Sequence, residues 1–189
     1  MKKKQHMEPR NPEIKKINGL FSEKGATILA PSDFESLTSR GYGVLENEKL
    51  LLNIYETLFL HSKGMLEVSK GESRGALTFQ ELLHQFKFED KSVWAKYLIY
   101  RDLRSRGYVV REGFGLGINF RAYERGDYGT TTAAFLIRGI QEGKPISVRE
   151  LARVLRHVQS LKKKLVLAVV NRRGEIVYYT LSKLTMKDQ

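Results

Sequence analysis

Apolar residues in the first ninety positions are spaced as in short strands and short amphipathic helices. The predicted elements are strands at 26–31 and 65–68 and helices at about 47–63 and 78–87. Gly64 ends the first helix, because glycine readily adopts the left-handed conformation that follows a helix. Thr78, followed three positions later by Glu81, has the pattern of a capping box and marks the start of the second helix. We therefore predict a small N-terminal α/β domain over residues 19–90.

From residue 91 onward the elements become longer and the strands more apolar. The predicted elements are helices at about 90–106 and 148–163 and strands at 108–111, 118–123, 133–140, 165–170 and 176–181. Gly107 ends the first helix, on which Trp94, Tyr97 and Leu98 share one face. Strands that alternate with helices and hairpins predict a mixed sheet flanked by helices. The predicted fold class is thus α/β, of the α+β kind, with a C-terminal domain over residues 91–189.

The charge of the chain favours a polyanionic partner. Lys and Arg number 33 against 21 Asp and Glu, and the formal net charge is +12. The isoelectric point is near 9.8. Nucleic acid is the first candidate partner for so basic a protein, and the alternative is a surface that is simply well solvated. Residues 1–18, which begin with Met1-Lys-Lys-Lys4, are predicted to be a basic flexible arm.

Cysteine and long apolar segments are both absent from the sequence. Without cysteine, the chain has no disulfide framework, thiolate metal site or cysteine nucleophile. No apolar run reaches the roughly 20 residues that span a bilayer, and the N-terminal lysines are not followed by an apolar signal region. We expect a cytoplasmic protein without a membrane partner.

The helix predicted at 148–163 carries cations along one face. Ser147 and Glu150 open it with a second capping box. The cations at positions i, i+4, i+7 and i+14 are Arg149, Arg153, Arg156 and Lys163. They share one face if the helix continues to residue 163. Such a stripe can follow a phosphate backbone, and the alternative is an ordinary solvated helix face. The residues predicted to face inward are Val148, Leu151, Leu155 and Val158.

Three further patterns are compatible with ligand sites but have simpler interpretations. The glycines of Gly113-Phe-Gly-Leu-Gly117 precede a strand, whereas a dinucleotide-binding loop precedes a helix, so we predict a hairpin turn. Asp127, Glu142 and Lys144 could form the acidic pair and lysine of a metal-dependent nuclease, but 29% of the residues are charged and chance produces such sets. The chain also has four histidines without metal-ligand spacing: His6, His61, His84 and His157. We predict no metal site and no cofactor.

Three segments of the C-terminal half form an ordered and correctly spaced set. They are Tyr100-Arg-Asp-Leu-Arg-Ser-Arg-Gly-Tyr-Val-Val110, Gly117-Ile-Asn-Phe-Arg-Ala-Tyr123 and Arg156-His-Val-Gln-Ser-Leu-Lys-Lys-Lys-Leu-Val-Leu-Ala-Val-Val170. Together they resemble three segments of the archaeal tRNA-intron endonuclease family. In order, these are a helix that leads into a strand, a Gly-x-Asp-Phe-x-x-Tyr segment, and the helix and strand that carry the lysine of the family. The resemblance covers roughly 100–182, and residues 48–68 also resemble the small N-terminal domain of the family.

The resemblance implies metal-independent cleavage of precursor tRNA at bulge-helix-bulge junctions. The neighbouring 2′-hydroxyl would attack the phosphate and leave a 2′,3′-cyclic phosphate and a 5′-hydroxyl. In the family a tyrosine serves as the base, a histidine as the acid and a lysine as the fixed cation of this chemistry. Tyr123 falls on the tyrosine position and Lys163 on the lysine position. Thr132 stands where the family has its histidine, and threonine has no proton to donate near neutral pH.

Other departures from the family pattern point to a non-catalytic subunit. Asn119 replaces an aspartate, and Gly115 stands where a lysine is common. The turn at 171–175, Asn-Arg-Arg-Gly-Glu, replaces an acidic loop that family members insert into a neighbouring subunit. We therefore expect a structural subunit of a heterotetramer that pairs with a catalytic endonuclease subunit and could form a homodimer in isolation. The residues expected to bind precursor tRNA are Arg149, Arg153 and Arg156.

Three other hypotheses remain open at this point. The chain could be an active endonuclease with a substituted acid, a metal-dependent nuclease that uses Asp127, Glu142 and Lys144, or a plain RNA-binding or scaffold protein that never cleaves. His157 could supply the missing acid six positions before Lys163. Six positions rotate a helix by about 600°, so these two side chains are predicted to point apart.

Overall fold

The computed structural model describes residues 16–71 and 75–184, which form two five-stranded sheets joined by helices. Residues 1–15 of the basic arm predicted over 1–18 lie outside the described residues. Ile17 and Asn18 already belong to the first strand. The mixed α+β fold class predicted from the sequence is confirmed.

The N-terminal half is a mixed sheet with helices packed on one face. Its elements are β1 (Ile17–Ser22), β2 (Gly25–Ile28), a 3₁₀ turn (Pro31–Asp33), α1 (Phe34–Thr38), β3 (Val44–Glu46), β4 (Lys49–Asn53), α2 (Ile54–Ser62), β5 (Leu66–Ser69) and α3 (Phe79–Glu89). The strand order is β3-β4-β2-β1-β5, and β1 pairs with β5 in parallel. The predicted strands at 26–31 and 65–68 correspond to β2 and β5, and the helix predicted from Thr78 corresponds to α3.

The single helix predicted over 47–63 is wrong in its first half, because that segment is a strand followed by a helix. Strand β4 runs to Asn53, and α2 begins at the next residue. The Asn53 side chain accepts hydrogen bonds from the backbone of Tyr55 and Glu56, and the Glu56 side chain accepts one from the Asn53 backbone. This capping box separates the two elements, since it satisfies the N–H groups that the first turn of α2 leaves unpaired.

The C-terminal half is a second mixed sheet between two helices. Its elements are α4 (Val93–Ser105), β6 (Val109–Gly115), β7 (Ile118–Tyr123), β8 (Phe135–Gln141), α5 (Val148–Ser160), β9 (Lys164–Val170) and β10 (Ile176–Leu181). The strand order is β10-β9-β8-β7-β6. Strands β8 and β9 are parallel and connected through α5, and the other neighbours are antiparallel. All five strands predicted here are present.

The hairpin predicted at the glycine run is present, and two positive φ angles form its turn. Leu116 has φ 53° and Gly117 has φ 82°, between the paired residues Gly115 and Ile118. Two consecutive positive φ angles match the right-handed twist of the flanking strands in a two-residue hairpin.

Helix α5 is shorter and less buried than its sequence predicted. It ends at Ser160, and Lys162 turns the chain with φ 55°. Lys163 therefore lies beyond the helix and outside the cationic stripe, which corrects the prediction of four aligned cations. Val148, predicted to face inward, is 80% exposed, whereas Val158 is fully buried.

One continuous apolar core joins the two halves. Residues of α2 and α4 pack against β7 through aromatic contacts. The centroid of the Phe120 ring lies 5.0 Å from the ring centroid of Tyr55 and 5.8 Å from that of Tyr100. A smaller cluster between α5 and the other face of the sheet includes Val154 and Val158. The second sheet is thus covered by α4 on one face and by α5 on the other. Trp94, which shares a face of α4 with buried Tyr97, is itself 45% exposed.

Candidate active site and RNA-binding surface

Strand register brings Tyr123, Thr132 and Lys163 to one end of the C-terminal sheet. Tyr123 is the last residue of β7, and the preceding Ala122 pairs with Phe135 at the start of β8. Phe135 in turn pairs with Lys164 at the start of β9. Thr132 lies three positions before β8 and Lys163 directly precedes β9, and both strands begin where β7 ends. Neighbouring strands lie about 4.8 Å apart, so three strand ends bring these residues within roughly 10 Å.

Side-chain alternation places Tyr123 on the face of the sheet that α5 covers. Ala122 and Phe135 belong to the core on the α4 side, and successive residues of a strand point to opposite faces. The side chains of Lys164 and Leu165 point to opposite faces of the sheet in the same way. The Lys164 ammonium lies 5.9 Å from the centroid of the Phe135 ring, whereas Leu165 packs under α5.

A direct contact joins the threonine and the lysine. The Lys163 ammonium donates a hydrogen bond to the Thr132 hydroxyl. The Tyr123 ring packs edge-on against the Tyr128 ring, with 5.2 Å between centroids. Thr132 is exposed, and Tyr123 and Lys163 are half-buried, so all three are accessible to a large ligand. Sequence reasoning did not single out Tyr128, and its only signal was an aromatic residue within a polar loop.

The loop between β7 and β8 carries Thr132 and is stabilised by its own backbone. The Asp127 carbonyl accepts hydrogen bonds from the N–H groups of Thr130 and Thr131, at 3.2 and 2.9 Å. This small turn fixes the approach of the chain to β8. The site therefore offers a phenol, an ammonium group and an aliphatic hydroxyl, and within the described residues no imidazole belongs to it.

The histidines in the described part of the chain lie elsewhere. His61 lies on α2, where its Nε2 is 3.0 Å from the Leu77 carbonyl oxygen, and His84 packs on Phe88. The ring of His157 contacts Phe114, with 6.0 Å between centroids. Phe114 belongs to the β6–β7 hairpin, at the opposite end of β7 from Tyr123. This placement argues against His157 as a substitute acid. His6 lies outside the described residues.

The proposed acidic pair of a metal-dependent nuclease is not brought together. Asp127 follows the end of β7, next to the start of β8, whereas Glu142 and Lys144 follow the other end of β8. A seven-residue strand is about 20 Å long, which is too far for two carboxylates to share one ion. Within residues 16–71 and 75–184, no cluster of His, Cys, Asp and Glu is arranged to hold a metal ion.

The arginines of α5 form an exposed cationic surface, which we call the α5 arginine row: Arg149, Arg153 and Arg156. The spacing places them along one face of the helix, spanning about 10 Å. Arg156 lies nearest the C-terminal end of α5, from which the chain continues to Lys163. The α5 arginine row therefore leads from the far end of the sheet towards the candidate active site.

A buried carboxylate with a raised pKa lies between the two halves. Glu56 on α2 is 1% exposed, and its carboxylate lies 2.9 Å from the guanidinium of Arg111 on β6. Burial raises the pKa of Glu56, against the opposing effects of Arg111 and of backbone N–H groups. Arg111 also donates a hydrogen bond to the Gly41 carbonyl, at 3.1 Å, and these groups hold the two halves together.

Comparison with known proteins identifies the family. The catalytic C-terminal domain model of tRNA intron endonucleases matches residues 93–178, and the N-terminal domain model matches residues 17–83. A tRNA-splicing endonuclease of Methanococcus maripaludis is 31% identical over 91% of this chain and 97% of its own length. The chain belongs to the tRNA intron endonuclease family.

Further family members span most of the chain. The tRNA-splicing endonuclease of Methanothermobacter thermautotrophicus is 33% identical over 87% of this chain and 95% of its own length. That of Pyrococcus furiosus is 36% identical over 75% of this chain and 80% of its own length. In the described part of the chain, no helix is both long and apolar enough to cross a membrane.

Proposed function

We propose that this chain is the structural and RNA-binding subunit of a tRNA-splicing endonuclease that cleaves precursor tRNA at bulge-helix-bulge junctions. The products are a 2′,3′-cyclic phosphate and a 5′-hydroxyl end. The structural role rests on Thr132, which we align with the general-acid histidine of the family and whose hydroxyl accepts a hydrogen bond from Lys163. We place this function in the cytoplasm.

The chemistry at such a site needs three groups acting together. A base takes the proton of the 2′-hydroxyl, a cation stabilises the charged phosphorane, and an acid protonates the leaving 5′-oxygen. Tyr123 and Lys163 match the first two roles. An aliphatic hydroxyl at position 132 cannot replace the acid, and the loss of a positioned general acid typically slows a reaction by about 10²- to 10⁴-fold.

The structural role also requires a catalytic partner and a surface that binds it. Strand β10 is an edge strand, and its outer residues Val177 and Tyr179 are 50% and 55% exposed. Exposed apolar residues on an unpaired edge are suited to pairing with another subunit. The turn after β9 exposes two cations, Arg172 and Arg173. They would be repelled by a basic pocket on a second copy of this chain and attracted to an acidic pocket on a different subunit. These features support a heterotetramer over self-assembly.

A second candidate is an active endonuclease that uses water or another group as the acid. The retention of a tyrosine and a lysine at the strand ends favours it. A plain RNA-binding protein that never cleaves with any partner is the third. The metal-dependent nuclease is no longer a candidate, because Asp127 and Glu142 lie at opposite ends of β8.

Thr132→His tests the missing acid directly. The variant is mixed with a catalytic partner whose own general-acid histidine has been replaced by alanine, so that only the site of this chain can act. We expect cleavage of a bulge-helix-bulge precursor, in excess EDTA, to rise by about 10²- to 10⁴-fold over the wild-type mixture.

Two matched variants control this experiment. Thr132→Asn changes the size of the side chain without supplying a titratable proton and should leave the mixture inactive. Adding Tyr123→Phe to Thr132→His should abolish the gain. Equal cleavage by the wild-type chain and Thr132→His would instead favour the active endonuclease with a substituted acid.

A further inference from the structure

The β6–β7 hairpin presents an aromatic ring on the face of the C-terminal sheet that α5 covers. Phe114 is 47% exposed, and the centroid of its ring lies 6.0 Å from that of His157 on α5, at an interplanar angle of 75°. An edge-to-face contact occupies at most one face of a ring. The Phe114 ring therefore keeps a face that is open to a ligand.

The glycines on either side of Phe114 fix the position of this ring without covering it. A Cβ at Gly113 would lie 2.0 Å from the Ile118 carbonyl oxygen, so the hairpin closes this tightly only with glycine at that position. At Gly115, which has φ 86°, an added Cβ would meet nothing within 4 Å. The ring is thus carried by a closely packed hairpin with open space beside it. Such a preformed surface loses little entropy when it binds a ligand.

The contact with His157 places Phe114 beside the α5 arginine row. His157 follows Arg153 by four positions, and residues four positions apart are neighbours on the surface of a helix. The two positions differ by only about 40° around the helix axis. The Phe114 ring therefore lies along the edge of the α5 arginine row, and an RNA strand bound to the row would pass it.

A further arginine lies on the same face, between Phe114 and the candidate active site. Arg121 of β7 pairs with Leu136 of β8, which packs under α5, and paired residues of neighbouring strands share a face. The Arg121 Nε donates a hydrogen bond, at 2.9 Å, to the carbonyl oxygen of Glu112, two residues before Phe114. Arg121 also precedes Tyr123 by two positions, about 7 Å along the strand. The surface thus runs from Tyr123 past Arg121 to Phe114.

Two acidic groups close to this surface are either paired or turned away from it. The carboxylate of Glu150, which is on the same flank of α5 as His157, lies 2.6 Å from the guanidinium of Arg138. Glu112 pairs with Phe120, which belongs to the core on the α4 side, so its carboxylate points away from α5. The surface is therefore cationic around an aromatic ring. This combination binds single-stranded nucleic acid, because a base stacks on the ring and the phosphates contact the cations.

We propose that Phe114 is a stacking site for an unpaired nucleotide of the RNA, at the edge of the α5 arginine row. This proposal rests on the function proposed above, because it takes the same RNA as its ligand. The arginines bind phosphates of paired and unpaired RNA alike, since phosphate contacts carry no information about the base. The Phe114 ring stacks only on a base that is free of its pair. An apolar patch of another subunit is the competing occupant, and the cations around the ring favour RNA over it.

Binding of two RNAs to the full-length chain tests the proposal. A labelled single-stranded oligouridylate and a labelled blunt RNA duplex are titrated separately at the same ionic strength, and fluorescence anisotropy gives the dissociation constants. Phe114→Ala should weaken binding of the single strand roughly 5- to 150-fold, which corresponds to the loss of one stacked base, and leave binding of the duplex unchanged. Equal weakening for both RNAs would show that the ring only shapes the surface, and no weakening for either would show that it does not contact RNA. Each of these results would overturn the proposal.

Matched substitutions separate stacking from a loss of apolar surface. Phe114→Tyr keeps a flat ring and should retain most of the affinity for the single strand. Phe114→Leu keeps apolar bulk without a ring and should lose as much affinity as Phe114→Ala. Phe88→Ala removes a ring that is 76% exposed on α3, and it should change nothing. Full affinity in Phe114→Leu, or equal loss in Phe88→Ala and Phe114→Ala, would contradict stacking on this ring.

Assembly and cleavage assays separate a failure of this proposal from a failure of the proposed function. If Phe114→Ala prevents assembly with the catalytic partner, measured by light scattering, and leaves single-strand binding unchanged, the ring belongs to a subunit interface and the proposal is wrong. In an active mixture the variant should raise KM for the precursor and leave kcat unchanged. If the mixture cleaves and Phe114→Ala changes neither KM nor single-strand binding, the stacking site is wrong and the subunit function stands. If no mixture cleaves while single-strand binding still depends on Phe114, the stacking site stands and the endonuclease function is wrong.

Discussion

The interface between the two halves and the end of the C-terminal sheet differ in how their polar groups are paired. At the interface the Glu56 carboxylate contacts Arg111 and accepts backbone hydrogen bonds from Gly43 and Asn53, at 3.2 and 3.0 Å. At the end of the sheet, Thr132 is exposed and its hydroxyl accepts one hydrogen bond, from Lys163. The first region is built for rigidity and the second is open to a ligand. Substitutions in the two regions should therefore affect different properties.

The largest effect on stability is expected from the buried ion pair. Arg111→Met leaves the carboxylate of Glu56, which is 1% exposed, without its cation, and breaking such a pair costs about 3–5 kcal/mol. Because the Arg111 side chain retains 12% exposure, we expect the lower end of that range. Chemical denaturation of the full-length chain measures it.

A double variant checks the cause of this loss. Adding Glu56→Gln to Arg111→Met removes the uncompensated charge while the amide oxygen can still accept from Gly43 and Asn53. The double variant should therefore recover part of the lost stability. A cost below about 1 kcal/mol for Arg111→Met alone would show that water reaches the pair and would weaken the contrast between the two regions.

An intermediate effect is expected at the start of α2. Asn53→Ala removes the side-chain oxygen that accepts hydrogen bonds from Tyr55 and Glu56, at 3.0 and 2.9 Å. Loss of such a cap costs about 1 kcal/mol. The same denaturation experiment measures it, and Asn53→Asp, which keeps an acceptor oxygen, serves as the control. Equal destabilisation by both variants would contradict the capping role.

The smallest effect on stability is expected on the exposed helix α5. Replacing Arg149, Arg153 and Arg156 by glutamine should change the free energy of unfolding by less than about 0.5 kcal/mol per site. The same variant should weaken RNA binding and reduce the salt dependence of log K by about 0.9 per lost phosphate contact on a duplex. Replacing the same number of exposed lysines in the N-terminal half should leave the salt dependence unchanged. An unchanged slope in the α5 variant would mean that the α5 arginine row is only a solvated helix face.

Local sequence patterns predicted the elements whose signals are local. The capping box at Thr78, the N-cap at Ser147 and the glycine run at 113–117 each led to the correct element, because their hydrogen bonds or φ angles involve neighbours in the chain. The second half of the capping box predicted at Ser147 is absent, because the Glu150 carboxylate pairs with Arg138. The same pattern begins at Asn53 and ends at Glu56, and it would have separated β4 from α2. It was missed because Leu51 continues the helical spacing of apolar residues into the strand.

Contacts between residues that are far apart in the sequence could not be predicted from local patterns. Glu56 and Arg111 are 55 positions apart, and only the packing of α2 on the second sheet brings them together. The end of α5 was missed because Lys162, rather than glycine, adopts the positive φ that ends it. The proximity of Tyr123, Thr132 and Lys163 was expected from the family resemblance, and strand register supplies its physical basis.

The most direct test of the account is cleavage of a bulge-helix-bulge precursor tRNA in excess EDTA. The reaction is followed with this chain alone and after mixing with a catalytic family member that carries histidine at the position of Thr132. The account predicts no cleavage by the chain alone and 2′,3′-cyclic phosphate and 5′-hydroxyl products from the mixture. Cleavage by the pure chain, abolished by Tyr123→Phe, would contradict the structural role and establish an active enzyme with a different acid.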